Sequence, residues 1–239
     1  MNLDVLPMKL TAEQAEKFEK YYELLTGWNK VMNLTAITGP DDVALRHFAD
    51  SLTVLPYIDR IAESAEAAKE AKTGAISVVD VGTGAGFPGI PLKIMRPQLE
   101  VTLLDSLEKR LRFLDAVIGE LGLENIRTVH ARAEDAGRKG QYRERFDAAV
   151  ARAVAPMNIL AEYCLPLVRQ GGQFIAMKGP AEERFDSALR ELRGELISDD
   201  IFELGDEEKL TRRIICVAKT GKTPQKYPRK AGTPSKTPL

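Results

Sequence analysis

A glycine-rich segment follows a short β-branched run and has the spacing of a cofactor-binding loop. The run at 76–81 reads Ile-Ser-Val-Val-Asp-Val, and residues 82–87 continue as Gly-Thr-Gly-Ala-Gly-Phe. Glycines permit a tight turn and let a ligand lie directly against the backbone. Because a glycine pattern alone is a weak signal, its meaning depends on the residues around it. The candidate cofactor-binding residues of this loop are Gly82, Gly84, Gly86 and Phe87.

Two carboxylates at predicted strand ends flank the loop. Asp80 lies at the end of the first strand, and Asp105 follows a second strand over 100–104. Asp105 comes 23 residues after Gly82, a separation that places a carboxylate at the neighbouring strand end, where it can bind two ribose hydroxyls. The segment 132–135, Arg-Ala-Glu-Asp, follows a third strand, where a loop could close on a base. These features predict a site for a cofactor that contains a nucleoside.

The position of the third glycine distinguishes two classes of cofactor. In the dinucleotide pattern Gly-x-Gly-x-x-Gly, a helix N-terminus meets the pyrophosphate. Here the third glycine, Gly86, comes one residue early, and Phe87-Pro88-Gly89 follows it. This spacing favours a cofactor without phosphates, S-adenosylmethionine, whose methionine part would cross the loop. A dinucleotide, or a loop that has lost its ligand, stays as an alternative.

The elements around the loop predict the fold class. Strands are predicted at 76–81, 100–104, 126–130, 146–151, 173–177, 201–204 and 213–218, with helices at 90–95 and 109–121. Alternating strands and helices indicate a doubly wound, mostly parallel α/β sheet. We therefore expect a Rossmann-like domain with seven strands at 74–219, and the preference of the glycine loop for S-adenosylmethionine makes it a candidate methyltransferase domain.

The first 73 residues are predicted to be a helical extension and linker. Thr11 and Gln14 have capping-box spacing, and an aromatic and leucine stripe continues from Phe18 through Tyr21 and Leu25 to Trp28. A second helix is expected at about 41–55. The Ala/Glu-rich stretch 60–72 reads as an exposed helix or linker.

The chain ends in a basic, proline-rich tail at 220–239. Residues 219–239 have no acidic side chain, although the whole chain has 34 basic and 35 acidic residues. We expect this tail to be extended and unfolded without a partner, with Tyr227 free to stack on a base. Binding of its cations to RNA phosphates would weaken steeply with salt. The cations are Lys219, Lys222, Lys226, Arg229, Lys230 and Lys236.

Composition excludes several other classes of protein. The two cysteines, Cys164 and Cys216, have no paired Cys/His spacing, so neither a disulfide framework nor a metal site is expected. No secretory signal or membrane-spanning run is evident, and we expect a cytoplasmic protein.

Several segments resemble one known family. Residues 80–91, DVGTGAGFPGIP, resemble motif I of the bacterial 16S rRNA guanine-N7 methyltransferase G family (glucose-inhibited division protein B). The similarity covers essentially the whole chain in order, although 60–72 is longer than the family pattern suggests. Further similar segments are 28–35, 46–51, 104–106, 131–134, 151–154, 177–179 and 226–234.

The resemblance implies S-adenosylmethionine-dependent methylation of a guanine N7 in 16S rRNA. The partner would be 16S rRNA or the small ribosomal subunit, with no membrane involved, and we expect a monomer. The resemblance also implies binding roles for Gly82, Phe87, Ala133, Glu134 and Arg152. Ser106 lies in a similar segment and joins Asp80 and Asp105 as a candidate cofactor residue.

The expected chemistry agrees with the residues at the strand ends. Guanine N7 has an exposed lone pair, so a general base is unnecessary and positioning can dominate. The fourth strand lacks the Asn/Asp-Pro-Pro-aromatic signature of amino-group methylation. Cys164 has no preceding proline, so a covalent mechanism is disfavoured and a core position is expected.

Three basic residues at strand ends are candidate catalytic residues. Arg132, Arg152 and Lys178 follow the third, fourth and fifth strands. An arginine there could bind guanine O6 or a phosphate through its planar fork; a surface ion pair is the alternative. His47 and Asp50 share a helix face, either as a core pair that docks the N-terminal helices or as part of the site.

Overall fold

The computed structural model describes residues 1–67, 75–205 and 209–239 of the chain. The described residues form one seven-stranded sheet with the order β3-β2-β1-β4-β5-β7-β6. Strands β1 to β5 pair in parallel, and β7 runs antiparallel to both β5 and β6. The strands are β1 (Ser77–Val81), β2 (Glu100–Asp105), β3 (Ile126–His130), β4 (Phe146–Arg152), β5 (Val168–Lys178), β6 (Gly194–Leu204) and β7 (Leu210–Lys219).

This topology confirms the predicted mostly parallel α/β fold. The central strands β1, β2 and β4 are almost wholly buried, as expected for apolar runs covered on both faces. Strand β6 begins earlier than predicted. The sequence does not reveal its first half, because most of the side chains are exposed and no apolar pattern marks that part as a strand. The predicted boundary between residues 73 and 74 lies outside the described residues.

Helices cover both faces of the sheet. One apolar cluster joins helices α1, α4, α5 and α6 to the sheet, and a second joins α8 and α9 to the other face. The α-helices are α1 (Ala12–Met32), α2 (Pro40–Val43), α3 (Asp50–Leu52), α4 (Leu55–Ala67), α5 (Gly89–Met95), α6 (Glu108–Glu120), α7 (Ala133–Ala136), α8 (Met157–Cys164), α9 (Asp186–Leu192) and α10 (Thr233–Lys236). No helix within the described ranges is long and apolar enough to cross a membrane.

Helix α1 begins where the sequence predicts. Thr11 Oγ1 accepts from the Gln14 backbone N–H at 3.2 Å, and the Thr11 N–H donates to Gln14 Oε1 at 2.9 Å, which completes the capping box. Phe18, Tyr21 and Leu25 are fully buried. The predicted apolar stripe therefore faces the core.

The helix predicted at about 41–55 is present over residues 40–52, but it is not a regular α-helix throughout. Helix α2 passes into a π-helical stretch at Ala44–Ala49, then into α3, and α4 begins at Leu55. The apolar spacing does not reveal the π-helical turns, which widen the helix and are frequent at functional sites.

The stretch 60–72 is only partly described. Helix α4 extends to Ala67, and Ile61 is buried. The first part of the stretch is therefore helical, which is one of the two predicted alternatives, and Arg60, Glu63 and Ser64 are exposed. Residues 68–72 lie outside the described residues.

The prediction of an unfolded tail is wrong. Tyr227 is only 5% exposed and donates to Glu191 Oε2 at 2.9 Å, so it is not available to stack on a base. The Arg229 guanidinium binds the fully buried Glu162 at 2.5–3.0 Å, and Lys219 is buried within β7. Composition alone misleads here, because the acidic partners of the tail come from α8 and α9.

Replacing Arg229 with alanine should lower the free energy of unfolding by about 3–5 kcal/mol, because it leaves the buried Glu162 carboxylate without its cation. Urea denaturation measures this loss. The control is Lys222→Ala, an exposed cation of the same segment, which should cost about 0.5 kcal/mol or less. Equal costs for the two variants would contradict a structural role for the Arg229–Glu162 pair.

Candidate functional site: two adjoining clefts

Asp80 stabilises the glycine loop through two hydrogen bonds. Its carboxylate is fully buried, and Oδ2 accepts from Thr83 Oγ1 at 2.7 Å and from the Gly89 N–H at 2.9 Å. Tyr21 of α1 donates to the Ala85 carbonyl, so the N-terminal helices also support the loop. Both ends of the loop are thereby fixed against the fold.

Two of the loop glycines cannot be replaced without movement of a neighbour. Gly82 has φ +71°, and a Cβ there would lie 2.8 Å from Val154 Cγ2. Gly86 has φ +99°, and its Cβ would lie 2.6 Å from Tyr21 Oη. Gly82 therefore presents bare backbone to a ligand, while Gly86 permits close packing of α1 on the loop.

The first cleft, of about 340 Å³, opens at the carboxyl ends of β1, β2 and β3. This is the edge at which open α/β sheets bind ligands. Seven of the predicted site residues line it: Gly82, Asp105, Ser106, Arg132, Ala133, Glu134 and Arg152. Nine further lining residues were not predicted as site residues: Val81, Leu104, Arg110, Ala131, Ala153, Val154, Tyr163, Gly232 and Ser235.

Four predicted cofactor residues lie outside the lining of this cleft. Asp80 lies beneath the loop, and the Gly84 N–H donates to Asp105 Oδ2 at 3.0 Å. Gly86 packs against Tyr21. Phe87 is 5% exposed, and its ring stacks on His47 with centroids 4.5 Å apart.

The Asp105 carboxylate is held in a fixed orientation. It is 3% exposed, and Oδ1 accepts from the Leu107 N–H at 2.8 Å. Oδ2 accepts from the Gly84 N–H and, at 3.3 Å, from Arg110. A carboxylate has about four lone-pair sites, so acceptor capacity is left for ligand hydroxyls.

The second cleft, of about 330 Å³, adjoins the first. Arg152 and Ala153 line both clefts, and Lys178 lines only the second. The second cleft is lined by five lysine and arginine side chains and one aspartate, and Asp42, Glu183 and Asp199 outside the lining pair with three of these cations. Its charged lining residues are Arg46, Arg152, Lys178, Arg212, Arg213 and Asp50.

Arg152 joins the N-terminal helices to the sheet at the border of the two clefts. Its guanidinium donates to Asp50 Oδ2 and to the Arg46 carbonyl, both at 3.0 Å, and lies 3.2 Å from His47 Nδ1. It also lies over the Phe87 ring, 4.9 Å from the centroid. His47 and Asp50 therefore both dock the N-terminal helices and line the second cleft.

The other sequence candidates have distinct surroundings. Lys178 Nζ binds Glu183 and the Ala155 carbonyl, each at 2.7 Å. Arg132 is exposed, and its side chain forms no hydrogen bond or ion pair with the described part of the chain. Cys164 is fully buried, which confirms the expected core position. Burial raises the pKa of its thiol.

Comparison with known proteins identifies the family. The profile of the rRNA small subunit methyltransferase G family (GidB) matches residues 14–196. The chain belongs to this family. It is 49% identical to ribosomal RNA small subunit methyltransferase G of Exiguobacterium sibiricum, over 97% of this chain and 94% of the relative. It is 47% identical to the protein of the same name from Staphylococcus aureus (strain Newman), over 97% and 93%.

The fold of this GidB family member is shared with distant methyltransferases. A mutant 16S rRNA (adenine(1408)-N(1))-methyltransferase from Catenulisporales acidiphilia superposes with a TM-score of 0.52 at 15% identity. The match covers 68% of this chain and 94% of that one. At this identity the similarity shows the fold alone.

The first cleft has the chemistry that S-adenosylmethionine requires. Asp105 offers acceptors for hydroxyls, Glu134 lines the β3 end where a base can lie, and Gly82 exposes backbone. Asp80 Oδ1 is the one buried side-chain polar atom without a hydrogen-bond partner in the described part of the chain, and burial raises the pKa of this carboxyl to about 6.

His47 should make stability depend on pH. Burial, assisted by the Arg152 charge, lowers the pKa of His47 to about 4, below its ordinary value of 6.5. The folded state thus excludes a proton that the unfolded state binds, and stability is lost as the pH falls from 6.5 towards 4. At pH 5 the loss from this group should be about 2 kcal/mol at most.

The difference between wild type and His47→Gln isolates this effect from other groups. We expect the stability advantage of the wild type, measured by urea denaturation, to shrink by about 2 kcal/mol or less between pH 7 and pH 5. An advantage independent of pH would show that the pKa of His47 is the same in the folded and the unfolded states.

Proposed function

We propose that this chain transfers the methyl group of S-adenosylmethionine to N7 of a guanine in 16S rRNA of the small ribosomal subunit. Membership of the rRNA small subunit methyltransferase G family supports the reaction. The observation that carries the assignment of the site is that two clefts of similar volume meet at Arg152 and Ala153. One cleft suits the cofactor and the other suits an RNA base with its phosphates.

The cofactor would lie in the first cleft. When bound, it supplies an activated methyl group on a sulfonium centre. Gly82 gives backbone contact, Asp105 binds the ribose hydroxyls, and Ala133 with Glu134 borders the base. Ser106 and Arg132 complete the wall, Asp80 supports the loop through Thr83 and Gly89, and Gly84, Gly86 and Phe87 are loop residues that shape it without lining the cleft.

The guanine would enter the second cleft. Its N7 attacks with its own lone pair, so the side chains need to position the base and need not remove a proton. Arg152 and Arg212 are both held by Asp50, at 3.0 and 2.8 Å, which orients their forks towards acceptors such as guanine O6. Lys178 and Arg213 add charge for neighbouring phosphates.

Of the three catalytic candidates, Arg152 has the position that the reaction needs. Arg132 lines only the cofactor cleft and Lys178 only the acceptor cleft, whereas Arg152 lines both. We place Arg152 against the reacting groups and give Arg132 and Lys178 binding roles.

The RNA is the partner, and the protein acts as a cytoplasmic monomer without a membrane.

Transfer of tritiated methyl groups to unmodified small subunits, to purified 16S rRNA and to free guanosine monophosphate tests the substrate class. We expect label in RNA, from subunits or from naked rRNA, and none in the mononucleotide. Labelling of the mononucleotide alone would show an enzyme of small-molecule metabolism.

A further inference from the structure

The C-terminal segment supplies part of the first cleft. Gly232 stands directly before α10 and Ser235 lies within it, and both line the cleft together with Tyr163 of α8. None of these residues belongs to the loops that follow β1, β2 and β3. A segment from the far end of the chain therefore shares the proposed cofactor site.

Two hydrogen bonds tie this segment to the cleft. The Gly232 N–H donates to Glu134 Oε1 at 2.8 Å, and the Ser235 and Tyr163 hydroxyls are 2.8 Å apart. Glu134 is only 5% exposed, and its Oε2 accepts no hydrogen bond from the described part of the chain. One carboxylate oxygen is thus fixed by the segment, and the other is left for a donor such as the amino group of adenine.

The segment is anchored before it reaches the cleft. Arg229 binds the buried Glu162 through both its backbone N–H, at 2.7 Å, and its guanidinium. Arg138 donates to the Pro228 carbonyl and Arg143 to the Tyr227 carbonyl, each at 2.8 Å. Charged hydrogen bonds of this kind are strong, so the segment forms a preorganised wall.

We propose that residues 232–235 belong to the cofactor-binding site and close its adenine end. The Gly232 N–H orients Glu134 towards the exocyclic amino group of the base, and Ser235 with Tyr163 forms the adjacent wall. The inference rests on the proposed function, because it assigns the base to the β3 end of the first cleft. The segment and the cofactor therefore stabilise each other: the segment strengthens cofactor binding, and the bound cofactor holds the segment in place.

The first test compares two bulky substitutions at neighbouring positions in the full chain. Both side chains are exposed, but Ser235 lines the cleft and Lys236 does not. Calorimetric titration with S-adenosylhomocysteine should give a Kd raised about tenfold or more in Ser235→Trp and changed by less than about twofold in Lys236→Trp. Equal affinities for wild type and both variants would overturn the role of the segment.

The second test uses the wild-type chain alone. Trypsin can cut after Lys230, next to the cleft, and after the exposed Lys9 near the N-terminus. Saturating S-adenosylhomocysteine should slow the first cut about tenfold or more and leave the second unchanged. If the ligand binds but does not alter the cut after Lys230, the segment is not part of the site. If the wild type does not bind S-adenosylhomocysteine, the cofactor cleft itself is wrong.

Discussion

Replacing Arg152 with alanine is expected to lower the rate of methyl transfer about hundredfold or more, the range seen when one preorganised donor is removed from an active site. Arg152 is the charged residue common to both clefts, and it contacts Asp50, His47 and Phe87. Its loss would remove a donor from the acceptor cleft and release the N-terminal helices that form the cleft wall.

Two further variants separate these contributions. Arg152→Lys keeps the charge but loses the planar fork, so it should retain only a small part of the activity. Arg112→Ala removes an arginine that is 71% exposed on α6 and should leave the rate unchanged. Transfer rates at saturating cofactor, with thermal melting to check the fold, measure the effect. An Arg152→Ala rate within about tenfold of wild type would contradict a place at the reacting groups.

Gly82→Asp is expected to raise the Kd for S-adenosylhomocysteine about hundredfold or more, a loss of nearly 3 kcal/mol. Three causes act together. The backbone has φ +71°, a Cβ would lie 2.8 Å from Val154 Cγ2, and the new carboxylate would enter a cleft that already holds Asp105.

The matched control is Gly119→Asp in α6. A Cβ at Gly119 meets nothing within 4 Å, and its φ is not left-handed. Calorimetric titration should give this variant the affinity of the wild type. If Gly82→Asp also bound with wild-type affinity, the ligand would not lie against the glycine loop.

The sequence predicts those parts of the site that depend on local pattern. Short apolar runs predict the strands, and Asp80 and Asp105 lie at the ends of two of them. Parallel strands bring those ends to one edge of the sheet. The first cleft could therefore be predicted, apart from the lining residues that lie far from the loops in sequence.

The second cleft and the tail depend on contacts that no spacing reveals. Arg152 and Arg212 meet at Asp50, which is 102 residues from one and 162 from the other. The tail contacts Glu162, which is fully buried and binds Arg229, and Glu191, whose pair with Lys226 is exposed, and a count of charges within 220–239 cannot include partners outside it. Such long-range pairs require the fold to be known.

The identity of the methylated atom tests the central claim most directly. Unmodified small subunits or their 16S rRNA would be incubated with the wild-type chain and labelled S-adenosylmethionine, then digested to nucleosides and analysed by mass spectrometry. We predict label in 7-methylguanosine at a single site, formed at least about hundredfold more slowly with Arg152→Ala. Label in another methylated nucleoside, or no label in either RNA while the chain binds the cofactor, would contradict the account.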